Sequence, residues 1–257
     1  MTTRLALLIE YDGSRYVGWQ SQSGAGAAVQ DVLEAAAAKL AHGAPVASTV
    51  AGRTDAGVHA EAQVAMIELP GEWRPDKVRD ALNFHMKPNP VVVLRAALAP
   101  EGWNPRFSAV GRAYRYRILN RRPRPALLLH RVWHVDQKLD AGAMHRAAQS
   151  LLGKHDFTSF RAAACQAKSP LRTLDRLDVV RLGEVIEVAA EARSFLHHQV
   201  RNMVGTLKLV GEGRWPESAV AAALAARDRS AAGPTAPPEG LALTGVRYPT
   251  DPFRSSD

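Results

Sequence analysis

The chain has 257 residues, 46% hydrophobic and 23% charged, the balance of a globular protein with a core to bury rather than of a disordered or fibrous one. Its formal net charge of +8 favours a polyanionic partner, because a basic surface attracts phosphates through solvent. The lone cysteine, Cys165, excludes an internal disulfide and any paired-cysteine zinc site.

The opening MTTRLALLIEYDG is interrupted by Glu10 and Asp12 too soon to be a secretory leader. No apolar run reaches the length of a membrane-spanning helix. The expectation is a cytoplasmic protein with no membrane partner, in a reducing compartment.

In chain order, RLALLIEY (4–11) reads as a strand ended by the Asp12-Gly13 turn signal, and 14–26, rich in Ser, Gly and Gln, as a loop. Residues 28–41 set Val29, Val32, Leu33, Ala36 and Leu40 on one helical face, with Gly43 as a stop. Short strands are expected at 46–51 and 62–69. A helix over 75–84 has Pro75 in its first turn, and a β-branched run at 90–99 gives a further strand.

The second half opens near 106. AYRYRIL (113–119) alternates as a strand, with Tyr114 and Tyr116 on one face and Arg115 and Arg117 on the other. The prolines of 121–129 bar a central strand. A helix over 140–152 has Asp140 as cap and Gly153 as stop. RTLDRLDVVRL and EVIEVAAEA form a hairpin about Gly183. Helices are expected at 195–211 and 216–230. Residues 231–240 hold too much Pro and Gly for regular structure, and LALTGVRY closes with a strand.

This order predicts an α+β fold: two similar subdomains, 1–105 and 106–257, each with helices packed on a mostly antiparallel sheet.

Three stretches carry candidate chemistry. AGRTDAGVHA (51–60) places Asp55 among glycines with almost nothing bulky to hold it. Arg53 and Asp55 share a face if the segment is extended. A simple turn in which Asp55 caps backbone amides is the plainer reading. A phosphate-cradling loop lacks the usual glycine fingerprints. YDGSRYVGWQSQ (11–22) offers two Tyr and a Trp which, exposed in a loop, would suit stacking on unpaired bases. GRAYRYRILNRRPRPA (111–126) interleaves tyrosines with arginines. The adjacent histidines of HHQVRNMVG (197–205) lack a third metal ligand at usable spacing, so no metal is expected.

Together YDGSRYVGWQSQ, VQDVLEAA, AGRTDAGVHA, RFSAVGRAYRYRI, LLGKHDFTSFRA and FLHHQVRNMVG resemble, in that order, the signature blocks of bacterial tRNA pseudouridine synthases of the TruA type, over nearly the whole chain. The resemblance implies that uridine at positions 38, 39 and 40 of the tRNA anticodon stem-loop is isomerised to pseudouridine. The glycosidic bond breaks, the uracil rotates, and it rejoins the ribose through C5.

The resemblance also implies an active-site cleft between the halves, with Asp55 as the catalytic nucleophile and Arg53 helping to displace the target base. Tyr114 would stack on the uracil, and Arg201 would pair with the catalytic carboxylate. A homodimer with tRNA as partner, and no cofactor or metal, completes the expectation. Residue types leave open whether Asp55 attacks C1′ or takes a proton from C2′.

Arg106 is a candidate contact to backbone phosphate. Asn104-Pro105 and the 83–90 segment depart from the family's usual His-Ala and Asn-Ala-x-Leu-Pro. A non-catalytic RNA-binding protein is the competing reading, and a nucleotide glycosidase, which would want two carboxylates, a third.

Overall fold

The computed structural model describes residues 1–22, 24 and 26–254. The expected loop at 14–26 therefore falls partly outside the described residues. The chain forms two compact units, Met1–Val110 with Leu243–Asp257, and Gly111–Ala242. The sequence division placed residues 243–254 in the second half; in the structure they pack with the first unit.

In unit 1, strand β1 (Thr2–Tyr11) lies between β4 (Val91–Leu98) and β3 (His59–Pro70), antiparallel to both. The short β2 (Ser48–Val50) pairs with β3, and β10 (Leu241–Arg247) lies on the far side of β3. Helices α1 (Val29–Leu40) and α2 (Pro75–Met86) pack on each other and on the sheet.

The apolar run LALLI in β1 is continuous because the sheet is covered on both faces. Ala6 and Leu8 meet Val64, Met66, Trp103, Tyr248 and Phe253 on one face. Leu5, Leu7 and Ile9, all fully buried, are left to the helix face, each contributing roughly 2 kcal/mol.

In unit 2, β5 (Gly111–Asn120), β9 (Val185–Ala192), β8 (Leu171–Leu182) and β7 (Gly153–Asp156) follow one another as antiparallel neighbours. A three-residue β6 (Trp133–Val135) runs parallel to β5. The sequence reading had neither β6 nor β7. The β8–β9 hairpin turns at Gly183, as expected.

Helices α3 (Ala141–Ala148), α4 (Gln199–Gly211) and α5 (Ser218–Ala226) belong to this unit, with α3 packed on β8 and α4. Asp140 caps α3, accepting from the Ala143 amide at 2.9 Å. The α+β class with mostly antiparallel sheets holds.

Three helix bounds differ from expectation by four residues: α3, expected to run to 152, ends at Ala148 and gives way to a 3-10 turn at Gln149–Leu151. The sequence reading starts a helix at 195, but α4 starts at Gln199, because His198 takes a left-handed conformation (φ 61). The last helix ends at Ala226, where Arg227 turns left-handed (φ 49), rather than running to 230. Among the described residues, no helix is long and apolar enough to cross a membrane.

Candidate active site

Asp55 sits on the loop between β2 and β3, and the loop is held by backbone bonds from the segment before α1. The Trp19 amide donates to the Thr54 carbonyl at 3.1 Å, and the Gly57 amide to the Tyr16 carbonyl at 3.2 Å. Gly18 and Asp55 form an isolated antiparallel bridge. The loop closes on itself where the Val58 amide donates to the Asp55 carbonyl at 3.1 Å.

Gly18 is required here. Its φ is +114, and a Cβ would lie 2.6 Å from the Thr54 carbonyl oxygen and 3.2 Å from the Asp55 carbonyl carbon. Thr54 is buried, while Arg53 is exposed and Asp55 half-buried. This is the alternation of an extended segment, with Arg53 and Asp55 on its outer side.

Beneath the loop lies a buried polar cluster. The hydroxyls of Tyr11 and Thr54 are 2.8 Å apart. Gln63 Nε2 donates to the Gly52 carbonyl at 2.8 Å and to the Tyr11 oxygen at 3.4 Å. Burial pushes the Tyr11 phenol up to about 12, against the smaller opposing pull of its hydrogen bonds to Thr54 and Gln63. Buried polar groups are tolerable only when paired in this way.

Two approaches to His59 Nδ1 compete: the Gly13 amide at 3.1 Å and Asp12 Oδ1 at 3.3 Å. One ring nitrogen cannot accept from the amide and donate to the carboxylate together. The amide has a fixed proton and must donate, so Nδ1 is the acceptor and the Asp12 approach is a contact rather than an ion pair.

The aromatics of 11–22 correct an expectation. Tyr11, Tyr16 and Trp19 are 4%, 6% and 2% exposed, so they pack inside unit 1 instead of offering faces to bases. Their burial gives the Asp55 loop its floor.

Arg106 lies on another loop of unit 1 and is exposed, its guanidinium 5.9 Å from the Phe107 ring centroid. Asn104 Oδ1 accepts from the Arg106 and Phe107 amides at 2.9 and 3.1 Å. The divergent Asn104 thus builds the turn that presents both side chains.

Unit 2 carries Tyr114 and Arg201. Tyr114, on β5 opposite Ala190 of β9, is half-buried and meets Phe195 edge-on at 5.2 Å. Tyr116, by contrast, is fully buried and donates its hydroxyl to the Pro237 carbonyl at 2.7 Å. Its phenol is pushed well above the ordinary value by burial, then by the Glu239 charge, with Arg201 opposing.

Arg201, in the first turn of α4, donates Nε to the Ala236 carbonyl at 2.8 Å. The turn before α4 is closed by Gln199, whose side-chain Oε1 accepts from the Leu196 amide at 2.8 Å while its backbone N–H donates to the Leu196 carbonyl at 3.0 Å. That turn keeps Phe195 out of the helix and against Tyr114.

Arg53 and Asp55 therefore share one loop of unit 1, Arg106 stands on a separate loop, and Tyr114 with Phe195 and Arg201 belong to unit 2. Sequence reasoning missed Tyr11, Thr54, Gln63 and Gly18 as supports, and Phe195 beside Tyr114. Gly18, set between Val17 and Trp19, was the available signal, since a glycine among bulky residues marks close backbone approach.

A family model described as tRNA pseudouridine synthase matches residues 7–108 and 147–249. The chain is 68% identical over 251 residues to tRNA pseudouridine synthase A of Acidiphilium cryptum (strain JF-5), covering 97% of this chain and 98% of that protein. It is 60% identical to the protein of that name from Paramagnetospirillum magneticum (strain ATCC 700264 / AMB-1), covering 95% of each. It is 54% identical to the one from Gluconobacter oxydans (strain 621H), covering 98% and 92%. A chain from a solved structure titled a Cbf5-Nop10-Gar1 complex aligns with 93% of this chain and 49% of its own length, at 11% identity and a TM-score of 0.37.

Proposed function

The chain belongs to the tRNA pseudouridine synthase family, and from that premise we propose how its own residues isomerise uridine to pseudouridine at positions 38, 39 and 40 of the tRNA anticodon stem-loop. A stacked uridine must leave its helix before a side chain can reach C1′, at a cost of a few kcal/mol. Arg53, exposed on the loop beside the acid, takes the space the base vacates and meets its phosphate.

Asp55 is the nucleophile that releases uracil from C1′. The uracil then rotates against the ring of Tyr114, whose edge contact with Phe195 fixes its plane. Uracil rejoins the ribose through C5 as the bond from Asp55 to C1′ breaks, and C5 then loses its proton while N1 gains one. Arg201 supplies the supporting cation for the carboxylate, and Arg106 a phosphate contact.

The observation that carries this reading is the clamped backbone at Asp55. An acid needed only as a turn cap would not require the Gly18 contact, in which a Cβ would lie 2.6 Å from the Thr54 carbonyl. Fixed placement of a reacting group is what catalysis needs. The proposal extends to a cytoplasmic homodimer, which rests on family likeness alone. A single-protomer mass in sedimentation at working concentration would remove the dimer.

The deciding experiment incubates the protein with unmodified tRNA transcripts and maps pseudouridines by chemical labelling. The protein forms them at the three positions, and Asp55→Asn binds the same transcripts but forms none. A variant that still turned over normally would sink the assignment of Asp55. Binding without modification by the unaltered protein would establish the RNA-binding alternative instead.

A further inference from the structure

The Pro- and Gly-rich segment after α5 forms no α-helix or strand but holds short 3-10 turns at Arg229–Ala231 and Pro238–Gly240, and many bonds tie it down. It runs across α4 as a strap. At Gly205 of α4 a Cβ would lie 1.8 Å from the Pro234 carbonyl oxygen, so strap and helix touch backbone to backbone. The Gly233 amide donates to Thr206 Oγ1 at 2.9 Å, and that hydroxyl donates to the Asn202 carbonyl at 2.7 Å.

A second layer of bonds is made by side chains. Arg229 donates through one terminal nitrogen to the Ala232 and Gly233 carbonyls, at 3.3 and 2.9 Å. Through the other it reaches Asn202 Oδ1 and Thr235 Oγ1, both at 3.2 Å. Thr235 Oγ1 in turn donates to Asn202 Oδ1 at 2.7 Å. Asn202 is fully buried and anchors the group by donating Nδ2 to the Phe160 carbonyl at 2.8 Å.

The residue after Thr235 is Ala236, and it exchanges two bonds with Arg201. The Ala236 amide donates to the Arg201 carbonyl at 3.1 Å, and Arg201 Nε donates to the Ala236 carbonyl at 2.8 Å. A long arginine side chain is oriented only as well as its acceptor is. Ala236 is in no sheet, so its carbonyl is placed by the strap. The next carbonyl, that of Pro237, takes the Tyr116 hydroxyl.

We propose that Thr235, together with Arg229 and Asn202, is a positioning residue that aims the Arg201 guanidinium. The strap is thus part of the catalytic apparatus rather than a linker to the last strand. This rests on the reading of Arg201 as the support of catalysis. Thr235 touches neither substrate nor reacting atoms. It acts through the Ala236 carbonyl.

The test compares Thr235→Val, which keeps the shape and removes the hydroxyl, with Thr235→Ser, which restores it. Thr235→Val is expected to lower kcat about tenfold, since small misplacements of a supporting group cost that much or more, with KM for tRNA within about twofold. Thr235→Ser returns kcat to the parent value. In ¹⁵N spectra the Arg201 Nε–H, sheltered by its carbonyl, exchanges with solvent faster in the valine variant. That readout needs no activity, and a purely structural role with an intact Arg201 seat would not move it.

Arg201→Lys is the control for the underlying reading. If it lowers kcat while Thr235→Val changes neither kcat nor the exchange rate, the positioning role is wrong and the reading of Arg201 survives. If Arg201→Lys leaves kcat unchanged, both are wrong. In the double variant the Thr235 effect vanishes, because the guanidinium it aims is gone. A fully additive loss would place the strap's influence elsewhere and overturn the proposal.

Discussion

Residues 51–58 of the first unit and 232–237 of the second both lack regular structure, yet they are held in different ways. The Asp55 loop is pinned by backbone bonds to Tyr16 and Trp19 and rests on the Tyr11, Thr54 and Gln63 side chains. Its restraint is shared among several independent partners. The strap has single bonds from Gly233 to Thr206, between Ala236 and Arg201, and from Tyr116 to Pro237, but its side-chain ties converge on one joined hub, Arg229 with Asn202 and Thr235, laid on the bare backbone of Gly205. The difference teaches that an irregular segment with little bulky apolar content can be fixed if its neighbours supply hydrogen-bond partners. It also predicts unequal fragility. Removing one polar tie should matter little under the loop and much in the strap.

The largest effect should come from putting a side chain where strap and helix touch. Gly205→Ala must push the Pro234 carbonyl away, because 1.8 Å is far inside any contact distance. The expected loss is about 3 kcal/mol, typical of overpacking against backbone, read from urea unfolding. Turnover of the folded fraction falls with it, since Arg201 loses its seat. A stability equal to the parent's would mean that the strap is not fixed on α4.

Gly18→Ala is the matching change beneath Asp55. The new side chain faces the Thr54 carbonyl at 2.6 Å with φ at +114. The expected cost is about 2 kcal/mol, that of a non-glycine residue in a strained conformation. Turnover should fall about a hundredfold through displacement of the acid, with tRNA binding kept. Unchanged turnover would show that the loop bends without moving Asp55, and the contrast with the strap would fail.

The sequence made some of this legible and hid the rest for physical reasons. The β8–β9 hairpin was readable because alternation and the Gly183 turn are both local. The continuous run of β1 was readable as a strand, though only the structure shows that Trp103, Tyr248 and Phe253 cover its second face. The start of α4 was misplaced because FLHH continues the apolar spacing of the helix. What stops the helix is the left-handed His198 and the Gln199 bond to Leu196, which no periodicity reports.

Asp55 stood out through its motif, but its supports did not. Tyr11 sits in a strand and Tyr16 and Trp19 in a stretch of loop composition, and composition alone suggested exposed stacking faces. Their burial follows from the loop laid over them. Arg229 was hidden because the expected helix ran on to 230, past its end at Ala226, and Thr235 because the composition of 231–240 announces only the absence of regular structure.

Tyr11→Phe probes the redundancy of the loop's support most finely. It removes one hydroxyl from the cluster and leaves the Gln63 bond to Gly52 and the backbone clamp in place. The expected loss is about 1 kcal/mol at neutral pH, the worth of one buried hydrogen bond, with turnover within about twofold of the parent. The pH dependence supplies a signature. The Tyr11 phenol has a folded value of about 12 against an ordinary 10.0. Its contribution to stability is therefore fully present below pH 10 and is lost as pH rises through about 12, because the unfolded chain ionises first. The phenylalanine variant has no such group to lose, so the stability gap between the two proteins should narrow across that window. Tyr116, raised in the same way, is present in both and leaves a common alkaline decline. A gap that stayed constant from pH 9 to 12 would mean the Tyr11 hydroxyl is not held neutral by burial. The floor of the Asp55 loop would then be wetter than the 4% exposure of Tyr11 implies.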